Sequence, residues 1–217
     1  NDSKEIQKFE LGIMNYELRK NFFDRSSIVV ARELLGCVLC RKLNLTSSRL
    51  RGTSKIQKFK IIETEGYEGF KDKASHASRG KTVRNSPMFE KSGTIYVYFT
   101  YGMHYMLNIV CGAKGHPSAV LIRGLSTSPP TPLLAKERGA EQKINLSGPA
   151  RLTKYLKIDK KLNNKKLGRK TGLWIEDNPT SLKLRGSKQI LKTPRIGVDS
   201  AGPIWSKKLW RFVLKEN

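Results

Sequence analysis

The sequence predicts an α+β fold: a single compact domain built on an antiparallel sheet. Three observations lead there. The chain has 217 residues, enough for one sizeable domain and short for two. Hydrophobic residues make up 38%, which supports a packed core and argues against general disorder. Strand-like segments come in runs, without helices alternating between them.

Residues 1–20 read as a flexible, charged N-terminal arm, and 21–217 as the domain. The first clear element is RSSIVVARELLG. Ser26 or Ser27 can cap a helix, Ile28, Ala31, Leu34 and Leu35 share one face, and Gly36 ends it. The strand CVLCRKL follows, then polar, turn-like residues 46–54. QKFKIIETEGY reads as a strand running into a loop at Gly66. Residues 66–93 lack periodicity, and a loop of that length in a compact domain is functional or disordered. In YVYFTYGMHYMLNIV, four of the seven tyrosines (Tyr96, Tyr98, Tyr101 and Tyr105) fall within ten residues, with Gly102 able to break or turn the strand. AVLIRGL is a further strand and TSPPTP a rigid turn. NLSGPARLTKYLKI reads as a helix with Ser147 as cap, Pro149 in the first turn, and Leu152, Tyr155 and Leu156 on one face. Two short strands, GLWIED and WRFVLK, lie on either side of a Gly-rich loop, RIGVDSAG.

Charge is the outlier. Lys and Arg total 42 against 18 Asp and Glu, a net charge of +24, densest in KYLKIDKKLNNKKLGRK, Lys154 to Lys170. Such an excess implies a polyanionic partner: nucleic acid, acidic membrane or acidic protein. No apolar run approaches the ~18 residues of a membrane span. The first twenty residues are mixed and charged, unlike a signal peptide, and the start at Asn1 leaves a trimmed leader open. Three cysteines, Cys37, Cys40 and Cys111, give no disulfide framework and fit a reducing, intracellular compartment. The CxxC pair in GCVLCRK lacks further ligands at finger spacing and reads as core thiols.

Several residues could carry chemistry. Alternation puts Tyr96, Tyr98 and Thr100 on one strand face, and Val97, Phe99 and Tyr101 on the other. The run reads either as ordinary aromatic core or, in so basic a chain, as a surface on which bases stack, with Tyr101 as a wedge at a bend. Glu63 and Glu65 share a face at the end of an apolar strand. A carboxylate in an apolar, aromatic pocket is a good general base, and a solvated edge pair is the plainer alternative. His76 lies in a polar loop, Asn108 sits among apolar residues, and Arg123 at the end of an apolar strand needs a carboxylate or anion, with Glu65 a candidate partner.

ETEGY, ASHASRGKTVRN, MF, SGTIYVYFTYGMHYMLNI and VLIRGL, followed by SGPARLTKYLKI and RIGVDSAG, resemble in order the alkyladenine (3-methyladenine) DNA glycosylase family. The resemblance spans about residues 22–214. It implies a compact domain with a curved antiparallel sheet, surrounding helices and a protruding, DNA-inserting β-hairpin. It also implies a base-excision-repair enzyme that flips alkylated or deaminated purines (3-methyladenine, 7-methylguanine, hypoxanthine, ethenoadenine) out of duplex DNA. The N-glycosidic bond would then be hydrolysed, without a lyase step, metal or other cofactor. By the same resemblance, Glu65 activates water, and Arg123 and the main-chain carbonyl around Val198 hold it. Tyr67, His76 and Tyr98 form the base pocket, and Asn108 stands where the 2-amino group of normal guanine would clash. Tyr101 fills the gap in the duplex, and Arg84, Met88 and Met103 lie along the DNA. The loop between His76 and Arg84 is one residue shorter than the family form. Expected partners are double-stranded DNA with damaged purines and no membrane. The expected state is a monomer, DNA-associated inside the cell, in a bacterial nucleoid or a eukaryotic nucleus. The rival reading is a non-catalytic nucleic-acid-binding module using the same basic and aromatic surface.

Overall fold

The computed structural model describes residues 16–44, 54–127, 145–177, 179–185 and 187–215. Among the described residues, ten strands form one sheet: β1 (Tyr16–Glu17), β2 (Val38–Asn44), β3 (Ser54–Glu68), β4 (Ile95–Thr100), β5 (His104–Val110), β6 (Ser118–Thr127), β7 (Asn145–Ser147), β8 (Leu173–Asp177), β9 (Ile190–Thr193) and β10 (Arg211–Leu214). The main order is β1-β8-β2-β3-β6-β5-β4, with β7 beside β6 and β10 between β3 and β9, and the pairings are antiparallel. The described residues also form five α-helices: α1 (Lys20–Phe23), α2 (Ser27–Glu33), α3 (Pro149–Tyr155), α4 (Pro179–Leu184) and α5 (Pro203–Ser206). The expected single domain of mixed helix and strand on an antiparallel sheet is therefore present. Sheet pairing reaches back to Tyr16, inside the stretch read as an arm; the rest of that arm, most of the 46–54 turn and all but the first residue of TSPPTP lie outside the described residues.

Cross-strand register decides what each face does, because directly opposed residues point to the same side. Thr64–Ile122, Val120–Ile109 and Val97–Leu107 lie on one face, whose apolar members belong to the main core. Helix α2 covers that face, capped by Ser26, whose Oγ accepts from the Ile28 N–H, while the Thr64 hydroxyl donates to the Ala31 carbonyl. The other face carries the row Arg211–Glu65–Leu121–Asn108–Tyr96 across β10, β3, β6, β5 and β4. A smaller cluster of Ala77, Met88, Phe89, Tyr96, Val110 and Ala119 seats the 69–93 loop there.

Two local expectations change. β3 does not end at Gly66 but runs to Glu68, and Gly66 pairs with Val120. A Cβ at Gly66 would lie 2.7 Å from Ile28 Cδ1 and 3.2 Å from the Ser27 carbonyl, so this glycine admits helix α2 rather than turning the chain. Ser147 does not cap α3. It is a strand residue opposite Gly124, and the N-cap position falls on Gly148, at φ 104°, with no side-chain cap.

Candidate active site

The polar-row face opens into a cleft of about 310 Å³. Of the residues singled out from the sequence, Tyr67, His76, Tyr98, Asn108, Arg123 and Val198 line it, together with Met88 and Tyr101. Strand phase explains the convergence. Tyr67 is two residues beyond Glu65, Tyr98 two beyond Tyr96, and Arg123 two beyond Leu121, so each falls on the side of the polar row.

Glu65, Arg84 and Met103 are not among the lining residues; Glu65 is fully buried behind three residues that are, Tyr67, Ile196 and Arg123. Its Oε2 accepts from the Tyr67 hydroxyl at 2.8 Å and its Oε1 from the Ile196 main-chain N–H at 2.9 Å. Arg123 sits 3.4 Å from Oε1 and 3.5 Å from Oε2. The expected Arg123–Glu65 contact is therefore present, but Arg123 bonds more closely to Glu63, at 3.0 Å, and Glu63 also takes 2.6 Å from Arg211. The β3–β6 register shifts at Glu63, opposite Gly124, where a Cβ would come within 2.9 Å of the Glu63 Cβ. That irregular stretch lets both carboxylates reach one guanidinium. Burial raises the Glu65 carboxyl above its ordinary value, with Arg123, the Ile196 amide and the Tyr67 hydroxyl pulling it back. A carboxylate so balanced is basic, fixed in direction and still ionisable.

The walls are aromatic. The His76 ring centroid is 4.5 Å from that of Tyr98 and nearly perpendicular to it, and Tyr96 and Tyr98 are 5.4 Å apart. His76 Nδ1 is 3.1 Å from the Tyr96 hydroxyl. Burial, reinforced by Arg84, lowers the His76 pKa, which favours the neutral imidazole. Burial, with Glu65 nearby, pushes the Tyr98 phenol up to about 12, and burial raises Tyr67 well above its usual value, so neither ionises near neutrality. Asn108 is held by two bonds from its Nδ2, to the Tyr96 and Met106 carbonyls at 3.3 and 3.4 Å.

At the rim, β4 and β5 form a hairpin with Tyr101 82% exposed and Met103 also exposed. Tyr101 and Gly102 have φ of 51° and 66°, and the Met103 N–H bonds the Thr100 carbonyl. Two positive φ values suit the twist of a tight hairpin, but on a bulky residue this is a conformational outlier, held by the turn in an exposed place. Arg84 is exposed, lies 5.4 Å from the Tyr98 ring and donates to the Phe99 carbonyl. Met88, expected along a DNA surface, is only 2% exposed: it packs behind Tyr96, as cleft wall rather than outer surface. Val198 is buried, and its carbonyl already accepts the Ala201 N–H at 2.9 Å, leaving its second lone pair.

Alternation put Tyr96 on the Tyr98 face without giving it a pocket role, and it lines the cleft; the Ile196 N–H as a partner of Glu65 and the buried Arg195–Asp72 pair beneath Tyr67 carry no signal in the sequence. The three cysteines are buried, as expected for core thiols. Among the described residues no helix is long and apolar enough to cross a membrane.

Residues 21–217 match the family model described as methylpurine-DNA glycosylase. The chain is 41% identical over 202 residues to a protein of Carboxydothermus hydrogenoformans provisionally assigned as a 3-methyladenine DNA glycosylase, covering 92% of this chain and 96% of that one. A protein of Methanocella arvoryzae with the same assignment is 38% identical over 202 residues, covering 92% and 93%. One of Prosthecochloris aestuarii is 39% identical over 199 residues, covering 91% and 88%.

Proposed function

Because the chain belongs to the methylpurine-DNA glycosylase family, enzymes that hydrolyse N-glycosyl bonds in DNA repair, we propose that this cleft takes a flipped, damaged purine and that Glu65 activates the attacking water. The enzyme class displaces the pure binding module. The observation that carries the mechanism is a fully buried carboxylate, raised in pKa and held by the Tyr67 hydroxyl and the Ile196 N–H, two groups of residues that line the aromatic cleft.

Alkylation at N3 or N7 puts positive charge on a purine and makes it a good leaving group. The enzyme then supplies a nucleophile and a field for the oxocarbenium-like sugar. Glu65 does both: it takes a proton from water, and its negative charge faces the developing cation. Arg123 and the free lone pair of the Val198 carbonyl hold the water. The released base leaves an abasic site with the strand intact, so borohydride should trap no covalent enzyme–DNA adduct; a trapped adduct would make the enzyme a lyase and sink this mechanism. Un-ionised phenol rings and a neutral His76 suit a cationic or electron-poor base, which a protonated His76 would repel.

Excision should therefore fall as pH drops through the Glu65 value. Glu65 must be ionised to act, and its pKa is raised, so the acid limb lies above that of an ordinary carboxylate. A pH–rate profile whose acid limb sits at or below the ordinary Glu value contradicts this.

Tyr101 fills the space the flipped nucleotide leaves. Tyr101→Ala should reduce excision by ~10–100-fold, the worth of one stacking contact, while total duplex affinity changes less, because phosphate contacts by the +24 charge dominate it. Fluorescence of a reporter base in the lesion position separates flipping from binding, and equal losses in both oppose the wedge role. Asn108 cannot swing aside, since both its bonds run to main-chain carbonyls. Asn108→Ser should raise release of normal guanine by ~10-fold or more, as expected when a modest steric filter is removed; unchanged guanine release in a base-release assay removes Asn108 from selectivity. The enzyme acts as a DNA-associated monomer in this reading.

A further inference from the structure

Arg195 and Asp72 lie under the cleft with side chains fully buried. The guanidinium meets the carboxylate through two bonds, Nη1 to Oδ2 at 2.5 Å and Nη2 to Oδ1 at 2.8 Å. Nη1 also donates to the Gly66 carbonyl at 2.9 Å, and Nη2 to the Trp205 carbonyl at 3.3 Å. The guanidinium carbon sits 4.7 Å from the Tyr67 ring and 5.0 Å from the Trp210 ring. Asp72 in turn accepts the Glu68 and Ala74 N–H groups, at the start of the loop that presents His76. The residue after Arg195 is Ile196, whose N–H aims Glu65.

Burying such a pair is poor value as a stabiliser. Desolvation offsets much of the attraction, and apolar replacements of buried pairs are often neutral or better. The Arg195 Nε, moreover, is buried without a hydrogen-bond partner. What the pair does supply is a common frame. It ties β3 at Gly66 and Tyr67, the loop leading to His76, and the 195–198 loop into one rigid unit.

We propose that Arg195 and Asp72 are positioning residues for the reaction, fixing the base-stacking floor and the water-activating group relative to one another. The claim rests on the reading of Glu65 as the activating base. Neither residue touches the reacting atoms. If the frame loosens, Tyr67 and the Ile196 N–H shift together and Glu65 loses both of its aiming bonds. A misplacement near 1 Å can slow a reaction by about 100-fold.

The test uses Arg195→Lys, which keeps the charge and loses the fork, and Asp72→Asn, which keeps the shape. Single-turnover excision of hypoxanthine from a duplex is measured across the acid limb, with duplex binding and thermal unfolding alongside and Glu65→Gln as reference. The expected result for both variants is a rate ~10–100-fold lower at saturating enzyme, a displaced acid limb and nearly unchanged duplex affinity. Wild-type rate and pH profile in folded variants, with Glu65→Gln inactive, overturn the positioning role alone. An active Glu65→Gln overturns the reading beneath it. Failure of both variants to unfold cooperatively also counts against the proposal, because the pair then serves the whole fold and not the site.

Discussion

Glu65→Gln is expected to bind lesion-containing duplex as the wild type does and to release base ~10³-fold more slowly or not at all, the range for losing a general base together with its charge. Glutamine has nearly the same shape and can still accept the Ile196 N–H that now reaches Oε1 at 2.9 Å. It cannot take a proton from water, and it puts no negative charge beside the sugar. The substitution should not harm the fold. A carboxyl whose folded pKa is raised contributes stability below its unfolded pKa and loses it as pH rises through the folded value, so at neutral pH the ionised Glu65 is a liability. Tm at neutral pH should be equal or higher in the variant. A large drop in Tm would attribute lost activity to misfolding instead.

Arg123→Met should act on stability and activity together. Arg123 bonds Glu63 at 3.0 Å and lies 3.4 Å from Glu65, both carboxylates being buried. Removing one partner of a buried pair typically costs about 3–5 kcal/mol, because the remaining charge stays desolvated. For a domain of this size that is a Tm drop of ~6–20 °C. Arg211 remains on Glu63 at 2.6 Å, so the residual stress falls chiefly on Glu65. Its pKa should climb, the acid limb of excision should move to higher pH, and the stability gap to wild type should narrow as acid neutralises Glu65. Thermal melts at several pH values decide this: a gap that stays constant with pH contradicts the pairing account.

Periodicity and alternation made most of this architecture legible. Chain alternation alone placed Tyr96 with Tyr98 and Glu63 with Glu65, and both pairs share a face in the fold. Glycine and serine misled where their role is tertiary. Gly66 reads as a strand end, yet its missing side chain admits helix α2, and nothing local announces that Ile28 will lie 2.7 Å from its Cβ position. Ser147 carries a cap signal that strand pairing with Gly124 overrides. The Ile196 N–H was invisible for a related reason: a main-chain donor has no residue type, and its reach to Glu65 spans 131 positions. Arg195 and Asp72, far apart in sequence and each ordinary in composition, meet only in three dimensions.

Single-turnover base release decides whether Glu65 activates water against a flipped damaged purine. The substrates are duplexes with one hypoxanthine, one 7-methylguanine or no lesion, with wild type beside Glu65→Gln at matched binding. The expected result is release of the damaged bases by the wild type only, leaving an unbroken strand with an abasic site. Equal release by both proteins, or none by either with salt-dependent binding intact, would contradict it.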